Sequence, residues 1–152
     1  MSTSNSQLAY QEAAVHNAGP IDLVIMLYDI LARDLQRAIA AMEGGKIELR
    51  TKHLKHGFLV LQELEGTLDL ERGGAFEANM SRFYSMMRKE MMRAQIQQDA
   101  SVLREVIQML FSVREAWVEV KTKESQSAMP PSRPRSASSY SEPEVRSASW
   151  NG

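Results

Sequence analysis

The residues best suited to chemistry in this 152-residue chain are three histidines, His16, His53 and His56. A helical bundle can hold two iron ions when Glu-x-x-His motifs place a carboxylate and an imidazole one turn apart. No glutamate stands three positions before any of these histidines, because Ala13, Arg50 and His53 occupy those positions. His53 and His56 could share a metal by their spacing, but their basic run RTKHLKH is typical of a solvated helix face. The sequence therefore predicts no metal site and no cofactor.

Other catalytic arrangements are also missing from the sequence. There is no cysteine, so thiol catalysis and disulfides are excluded. No glycine-rich loop with a lysine precedes a helix, and serines are abundant only near the C-terminus, where no fixed base could activate them. The net charge is −1, and basic residues are not interleaved with exposed aromatic residues, which disfavours nucleic acid as a partner. We expect a protein that is not an enzyme and binds no nucleic acid.

Four segments with helical hydrophobic spacing would have to position any functional side chain. They run from Pro20 to about Met42, from Ile47 to about Leu70, from Ala75 to about Ala94 and from Asp99 to about Val120. Pro20 suits a first helical position, and Asp99 is a favourable N-cap. Because the segments are similar in length and joined by short breaks, we predict an all-α, antiparallel up-down-up-down four-helix bundle over residues 19–122.

The two ends of the chain differ in composition from these segments. Residues 1–18 lack the cationic and apolar parts of a secretion signal and are predicted to be a flexible N-terminal segment. Residues 123–152 contain nine serines and four prolines but few large apolar side chains, so they are predicted to be a disordered tail. No apolar run is long enough to cross a membrane. We expect a cytoplasmic protein without membrane insertion.

Two of the predicted helices carry more apolar surface than the interior of a bundle requires. In the first, a second apolar row lies beside the main stripe, and together they cover about 200° of the helix, against roughly 100° for an ordinary surface helix. This row and a flank of the fourth helix supply the candidate partner-binding residues Ile21, Ile25, Tyr28, Ile39, Ile107, Phe111 and Val118. In the third helix Met80, Met87 and Met91 lie on the core stripe, whereas Met86 and Met92 lie off it.

Such a surface is expected to be covered for part of the time, and the sequence leaves three arrangements open. A partner helix could lie along it, with the flexible thioether of Met86 as an additional contact. The N-terminal segment could fold over it as a lid through Leu8 and Tyr10. Alternatively, the two wide helices could lie more centrally than the others in an asymmetric bundle.

Five stretches of the sequence resemble, in order, those of the flagellar secretion chaperones specific for flagellin, the FliS family. They are YQEAAV (Tyr10–Val15), AGPIDLVIMLYD (Ala18–Asp29), LDLERGGAFEANM (Leu68–Met80), FYSMM (Phe83–Met87) and DASVLREVIQMLFSVREAW (Asp99–Trp117). The chain departs from the family pattern at Gly19, where a serine cap is usual, and at Ser85 and Met86, where the family has Asp-Tyr. The C-terminal tail has no counterpart in the family.

This resemblance implies a small cytoplasmic export chaperone that works without ATP. Its partner would be the disordered C-terminal region of flagellin, which it would keep from polymerising prematurely and deliver to the flagellar export apparatus, whose gate components are further candidate partners. The apolar flank would be the client groove, with Arg114 at its edge. Aspartate at Ile25, Tyr28, Ile107 or Phe111 would weaken the complex and leave helicity intact. The alternative function is a self-associating four-helix adaptor unrelated to secretion, and the free protein is expected to be a monomer or a weak homodimer.

Overall fold

The computed structural model describes residues 19–128, which form four α-helices and contain no strand. The helices are α1 (Pro20–Glu43), α2 (Ile47–Gly66), α3 (Gly74–Gln97) and α4 (Ala100–Ala128). The chain divides into two compact units, Met1–Trp117 and Val118–Gly152. In the second unit the described residues, 118–128, are helical, and Thr122 Oγ1 donates a hydrogen bond to the Val118 carbonyl at 3.0 Å. The packing described below concerns residues 19–117.

Ion pairs between α1 and α4 fix the relative direction of these two helices. Arg104 pairs with Glu43, and ten residues later Arg114 pairs with Asp29 at 2.6 Å. Residue numbers therefore fall along α1 as they rise along α4, so the two helices are antiparallel.

The contacts between α2 and α3 show the same relation. Arg88 pairs with Glu65 at 2.5 Å, and the Met91 methyl lies against Gly57 at the other end of the contact. A Cβ added to Gly57 would lie 3.3 Å from this methyl and 3.4 Å from Leu31 Cδ1, so the missing side chain allows α1 and α3 to approach α2 closely. With α1 and α2 joined by a short turn, the predicted up-down-up-down bundle is confirmed.

The interior of the bundle receives apolar side chains from all four helices. On α3, Met80, Met87 and Met91 are buried, so the prediction that they belong to the core stripe is confirmed. Met86 is half-buried and Met92 is exposed, as their positions off the stripe predict. Flexible thioethers fill the space that more rigid neighbours leave between helices.

The first residues of the helices are those expected from local sequence. Pro20 begins α1, and Gly19 precedes it without a side-chain cap. Asp99 precedes α4, where its Oδ1 accepts hydrogen bonds from the Ser101 backbone N–H at 3.0 Å and from Ser101 Oγ at 2.6 Å. A carboxylate at this place satisfies a helical N–H that has no partner within the helix and interacts favourably with the helix dipole.

Two of the predicted helix ends differ from the structure. α2 ends at Gly66 rather than near Leu70, because the Thr67 hydroxyl donates to the Leu64 carbonyl at 2.6 Å and so competes with the backbone of a further turn. α4 continues to Ala128, beyond the predicted end near Val120, so the first residues assigned to a disordered tail are helical. The segment KTKESQSA contains mostly good helix formers and no proline, which explains the extension.

The glycine pair at the start of α3 is required for two different reasons. Gly74 has a φ of +68°, a conformation that other residues adopt only with strain. At Gly73 the difficulty is space, since an added Cβ would lie 2.6 Å from the Asp69 carbonyl oxygen. Both glycines therefore shape the turn from which α3 begins.

Gln98→Gly is expected to raise the free energy of unfolding by about 0.5–1 kcal/mol. Gln98 ends α3 with a φ of +54°, in the left-handed region where a Cβ is unfavourable. Urea unfolding followed by circular dichroism measures the change. The matched control is Gln97→Gly, which places glycine at the last residue of the helix and should lower stability by up to about 1 kcal/mol. Equal destabilisation by both changes would contradict the assigned cap.

Candidate partner-binding seam between the first and last helices

Five of the predicted binding residues border the seam between α1 and α4. Asp29 and Glu43 of α1 form ion pairs with α4. Ile25 lies one turn before Asp29, and Ile39 one turn before Glu43, on the same face of α1. Ile21 lies one turn before Ile25. On α4, Ile107 follows the ion-paired Arg104 by three positions, and Phe111 precedes Arg114 by three. We call the line along which α1 and α4 meet the α1–α4 seam. The apolar residues that border it are Ile21, Ile25, Ile39, Ile107 and Phe111.

The apolar members of the seam differ in their exposure to solvent. Phe111 is 43% exposed, whereas Ile107 is 8% exposed and belongs to the core cluster. Ile21, Ile25 and Ile39 are half-buried. The prediction that Ile107 lies on an open flank is therefore wrong, and the accessible part of the seam consists of Phe111 and the three α1 isoleucines.

Arg114 forms a two-point ion pair across the seam with Asp29. Its Nε donates to Asp29 Oδ1 at 2.6 Å and its Nη2 donates to Asp29 Oδ2 at 3.1 Å. These hydrogen bonds raise the pKa of the Arg114 guanidinium, although burial acts in the opposite direction. Because the planar guanidinium binds both oxygens of one carboxylate, it fixes the spacing of the two helices. Arg114 also lies at the edge of the apolar surface, as the sequence predicts.

Tyr28, predicted as a surface contact, lies instead beneath the seam. Its side chain is 0% exposed, its hydroxyl shares a hydrogen bond with the Tyr84 hydroxyl at 3.1 Å, and Trp117 Nε1 donates to the same oxygen at 3.2 Å. The two tyrosine rings meet edge to face, with centroids 6.3 Å apart. Burial raises the pKa of both phenols, so they remain protonated at ordinary pH. The expectation of an exposed Tyr28 is wrong.

The broad apolar surface of α1 has a structural cause that explains this correction. α1 contacts each of the other helices, through Asp34 to His56 on α2, through Tyr28 to Tyr84 on α3 and through Tyr28 to Trp117 on α4. The residues of the second row that face these neighbours are buried; they are Tyr28, Ala32 and Leu35. The central position of α1, one of the three arrangements left open, therefore accounts for part of the row.

The remaining predicted site residues are Met86, Val118, Leu8 and Tyr10. Met86 is half-buried on α3, the helix that touches α1 through the bundle interior. Val118 is half-buried and belongs to the second unit. Leu8 and Tyr10 lie outside the described residues, so their predicted role as a lid stays a prediction.

A cavity at the end of the bundle was not anticipated from the sequence. It has a volume of about 690 Å³, within the usual range of ligand pockets. Its wall combines apolar groups with two carboxylates and the open backbone of a glycine; the lining residues are Pro20, Ile21, Leu23, Val24, Gln62, Glu63, Gly66, Thr67, Leu68, Glu77 and Trp117. Ile21 alone was among the predicted residues. The early end of α2, which no hydrophobic pattern indicates, leaves this space open.

His56 takes part in a buried polar contact between α1 and α2. His56 Nδ1 donates to Asp34 Oδ2 at 2.6 Å, and Asp34 is buried. Burial raises the pKa of the Asp34 carboxyl, and the hydrogen bond from His56 opposes this shift. For His53, burial lowers the pKa, Asp34 raises it and the cations Arg37 and Lys52 lower it further. In the described part of the chain, no cluster of three or more His, Cys, Asp or Glu side chains could hold a metal ion.

Asp34→Asn should become more stable relative to wild type as the pH rises from 4 to 7. Because the folded-state pKa of Asp34 is raised, its contribution to stability is complete below the unfolded-state pKa and is lost as the pH rises through the folded-state value. Asparagine cannot lose this proton but still accepts the hydrogen bond from His56. Urea unfolding at several pH values measures the difference.

Asp99→Asn provides a control of opposite sign for this experiment. Hydrogen bonds from Ser101 lower the pKa of Asp99, so its contribution is present above the unfolded-state pKa and is lost as the pH falls. Its asparagine variant should therefore lose stability relative to wild type as the pH rises. The same pH trend in both variants would show that burial does not raise the pKa of Asp34.

Comparison with known proteins identifies the family. A family model described as "Flagellar protein FliS" matches residues 2–124, which is most of the chain. The chain belongs to the FliS family. The resemblance read from the sequence motifs is thereby confirmed. FliS is a family of flagellar secretion chaperones and not of enzymes.

Several relatives in the FliS family are similar over most of their lengths. The flagellar secretion chaperone FliS of Salmonella typhimurium is 31% identical over 115 residues, which are 75% of this chain and 85% of the relative. The FliS of Bacillus subtilis is 31% identical over 117 residues, covering 77% and 86%. That of Campylobacter jejuni is 31% identical over 123 residues, covering 79% and 96%. Within residues 19–128, none of the helices has both the length and the apolar character needed to span a membrane.

Proposed function

We propose that this chain is a cytosolic export chaperone that binds the disordered C-terminal region of flagellin. Binding prevents premature polymerisation and aids delivery of flagellin to the flagellar export apparatus. The observation that carries the proposal is the accessible apolar surface along the α1–α4 seam, formed by Phe111, Ile21, Ile25 and Ile39, in a chain of the FliS family.

The seam suits an amphipathic helical segment as its occupant. Such a segment places apolar anchors at i, i+3, i+4 and i+7, which match the one-turn spacing of Ile21 and Ile25 on one side of the seam. Each large side chain that leaves water contributes about 1.5–3 kcal/mol. Ordering the segment costs about 1–2 kcal/mol per residue before its own helical hydrogen bonds and contacts are counted, so several anchors are needed at once.

The cavity at the end of the bundle extends this surface, because Ile21 belongs to both. It can accept one large apolar anchor beside Trp117, while Glu63 and Glu77 at its wall favour hydrogen-bond donors or cations on the client. In the absence of a client, Leu8 and Tyr10 are proposed to cover the seam, since an open apolar row in water is unfavourable.

Calorimetry with a peptide of the flagellin C-terminal region tests the proposal. We expect 1:1 binding with a negative heat-capacity change, which marks the burial of apolar surface. The control is a flagellin that lacks this region, for which no binding is expected. Equal binding of the intact and truncated flagellin would exclude the proposed client segment.

Self-association is the competing use of the same seam, and sedimentation equilibrium separates the two. Association with a second copy would give a dimer whose formation depends on concentration and which the flagellin peptide does not dissociate. Under the chaperone proposal the free protein is a monomer or a weak dimer, and addition of peptide gives a single 1:1 complex.

A further inference from the structure

A second apolar groove lies between α2 and α3. It has a volume of about 360 Å³ and is lined by Thr51, Lys55, Phe58, Leu59, Gln62, Arg88 and Gln95. Leu59 is 43% exposed, and the exposed side chains of Met92 and Ile96 on α3 extend the apolar surface beyond it. We call this surface the α2–α3 groove. Met92 lies one turn after Arg88, and Ile96 one turn after Met92, on the same face of α3, so four large apolar side chains border one groove, which in a monomer calls for an explanation.

The floor of the groove is held in place by interactions between the two helices. Arg88 donates to Glu65 at 2.5 Å, and its guanidinium lies over the Phe58 ring, 6.0 Å from the centroid. Phe58 is partly buried and packs against the core. The groove is therefore preformed, so a ligand would not have to meet the cost of arranging its walls.

Cations predominate around the groove. Lys52, Lys55 and Lys89 are exposed, and none of them forms an ion pair within residues 19–128. The nearby carboxylate of Glu65 is already engaged by Arg88, which leaves the exposed Glu48 and Glu63, near the two ends of the groove, as the counter-charges on α2. A partner with acidic groups at the edge of an apolar face would complement this surface.

The groove is separate from the α1–α4 seam, although Gln62 lines both the groove and the cavity at the end of the bundle. In an up-down-up-down bundle α1 neighbours α2 and α4, and α3 neighbours the same two helices, so the α2–α3 groove lies on the side opposite the α1–α4 seam. An occupant of the seam therefore leaves the groove free, and one that also fills the end cavity meets the groove only at Gln62.

We propose that the α2–α3 groove docks an amphipathic helix with acidic edges from a second protein. This interaction is independent of the proposed flagellin binding. The apolar face of the helix lies on Phe58, Leu59 and Met92, and its carboxylates pair with Lys55 and Lys89. A second copy of this chain fits less well, because it would bring the same lysines against one another.

Fluorescence anisotropy with a synthetic peptide tests this inference on the full chain. The probe is a labelled amphipathic helix with leucines at i, i+3, i+4 and i+7 and glutamates on both flanks, and its twin has lysines in place of the glutamates. We expect saturable binding of the glutamate peptide, about tenfold or more tighter than that of the lysine peptide. Added salt should weaken it, because part of the attraction is between charges.

Two leucines of α2 provide matched variants for this experiment. Leu59 in the groove is 43% exposed, and Leu49 outside it is 42% exposed. Leu59→Asp should weaken binding of the glutamate peptide about tenfold or more, and Leu49→Asp should leave it unchanged. Phe111→Asp should also leave it unchanged, which separates this surface from the flagellin site.

Several results would overturn the proposed partner. Equal affinity for the two peptides would show nonspecific apolar adsorption, and equal losses in Leu59→Asp and Leu49→Asp would place the contact elsewhere. Displacement of the glutamate peptide by the flagellin peptide would mean that there is one site and not two. A concentration-dependent dimer lost in Leu59→Asp, or binding of phosphatidylglycerol vesicles lost in the same variant, would assign the groove to a second copy or to a lipid surface.

Discussion

Tyr28→Asp is expected to unfold the bundle or to lower its free energy of unfolding by about 4 kcal/mol or more. The change removes a fully buried aromatic ring and places a carboxylate where the hydroxyl of Tyr28 contacts Tyr84 and Trp117. A small domain has only about 5–15 kcal/mol of stability, so this is a large share. Thermal and urea unfolding followed by circular dichroism measure the loss.

Tyr28→Phe separates the contribution of the hydroxyl from that of the ring. It keeps the ring but leaves Trp117 Nε1 without an acceptor and the Tyr84 hydroxyl without its partner, which should cost about 1–3 kcal/mol. Tyr84→Phe should cost less, because the hydrogen bond from Trp117 to Tyr28 survives. If Tyr28→Asp were as stable as wild type, the side chain of Tyr28 would have to be exposed, as the hydrophobic pattern predicts.

Phe111→Asp should weaken binding of the flagellin C-terminal peptide by about 10–100-fold while the far-ultraviolet spectrum stays unchanged. The loss corresponds to the burial of one large side chain, about 1.5–3 kcal/mol. Because Phe111 is 43% exposed in the free protein, the fold depends little on its side chain, and the cost in stability should remain below about 1 kcal/mol. Calorimetric titration and urea unfolding of the same preparation give both numbers.

Leu49→Asp is the matched control for this measurement. Leu49 has nearly the same exposure, 42%, but lies on α2, away from the α1–α4 seam. It should bind the flagellin peptide with wild-type affinity. If Phe111→Asp binds as tightly as Leu49→Asp, the seam is not the client site, whatever the protein binds elsewhere.

Ile25→Asp extends the test to the opposite wall of the seam. Ile25 is half-buried and lies one turn from the ion pair of Asp29 with Arg114, so its replacement should weaken binding and also lower stability to some degree. Loss of both affinity and stability in Ile25→Asp would indicate a half-buried residue in the wall of the seam. Loss of affinity alone, as expected for Phe111→Asp, would indicate a residue at its exposed edge.

Local sequence was sufficient for the helices and for much of the interior. Hydrophobic periodicity located four helices, and Pro20 and Asp99 marked two of their beginnings because the chemistry of a helix end depends on adjacent residues alone. The same periodicity placed Met80, Met87 and Met91 inside and Met92 outside, since a position on a helix face follows from residue number. The ordered motifs were sufficient to indicate the FliS family.

Only the tertiary structure decided which apolar residues beside the core remain accessible. A row of hydrophobic residues indicates that a helix face is better buried than exposed to water. It does not indicate whether another helix of the same chain already covers that face. Tyr28 is covered because α1 contacts three helices at once, and Ile107 on α4 belongs to the core cluster, whereas Phe111, one turn further along α4, is 43% exposed. The Asp29–Arg114 pair and the α2–α3 groove likewise join residues far apart in the sequence. Their proximity depends on how whole helices pack, and the spacing within one helix carries no information about that packing.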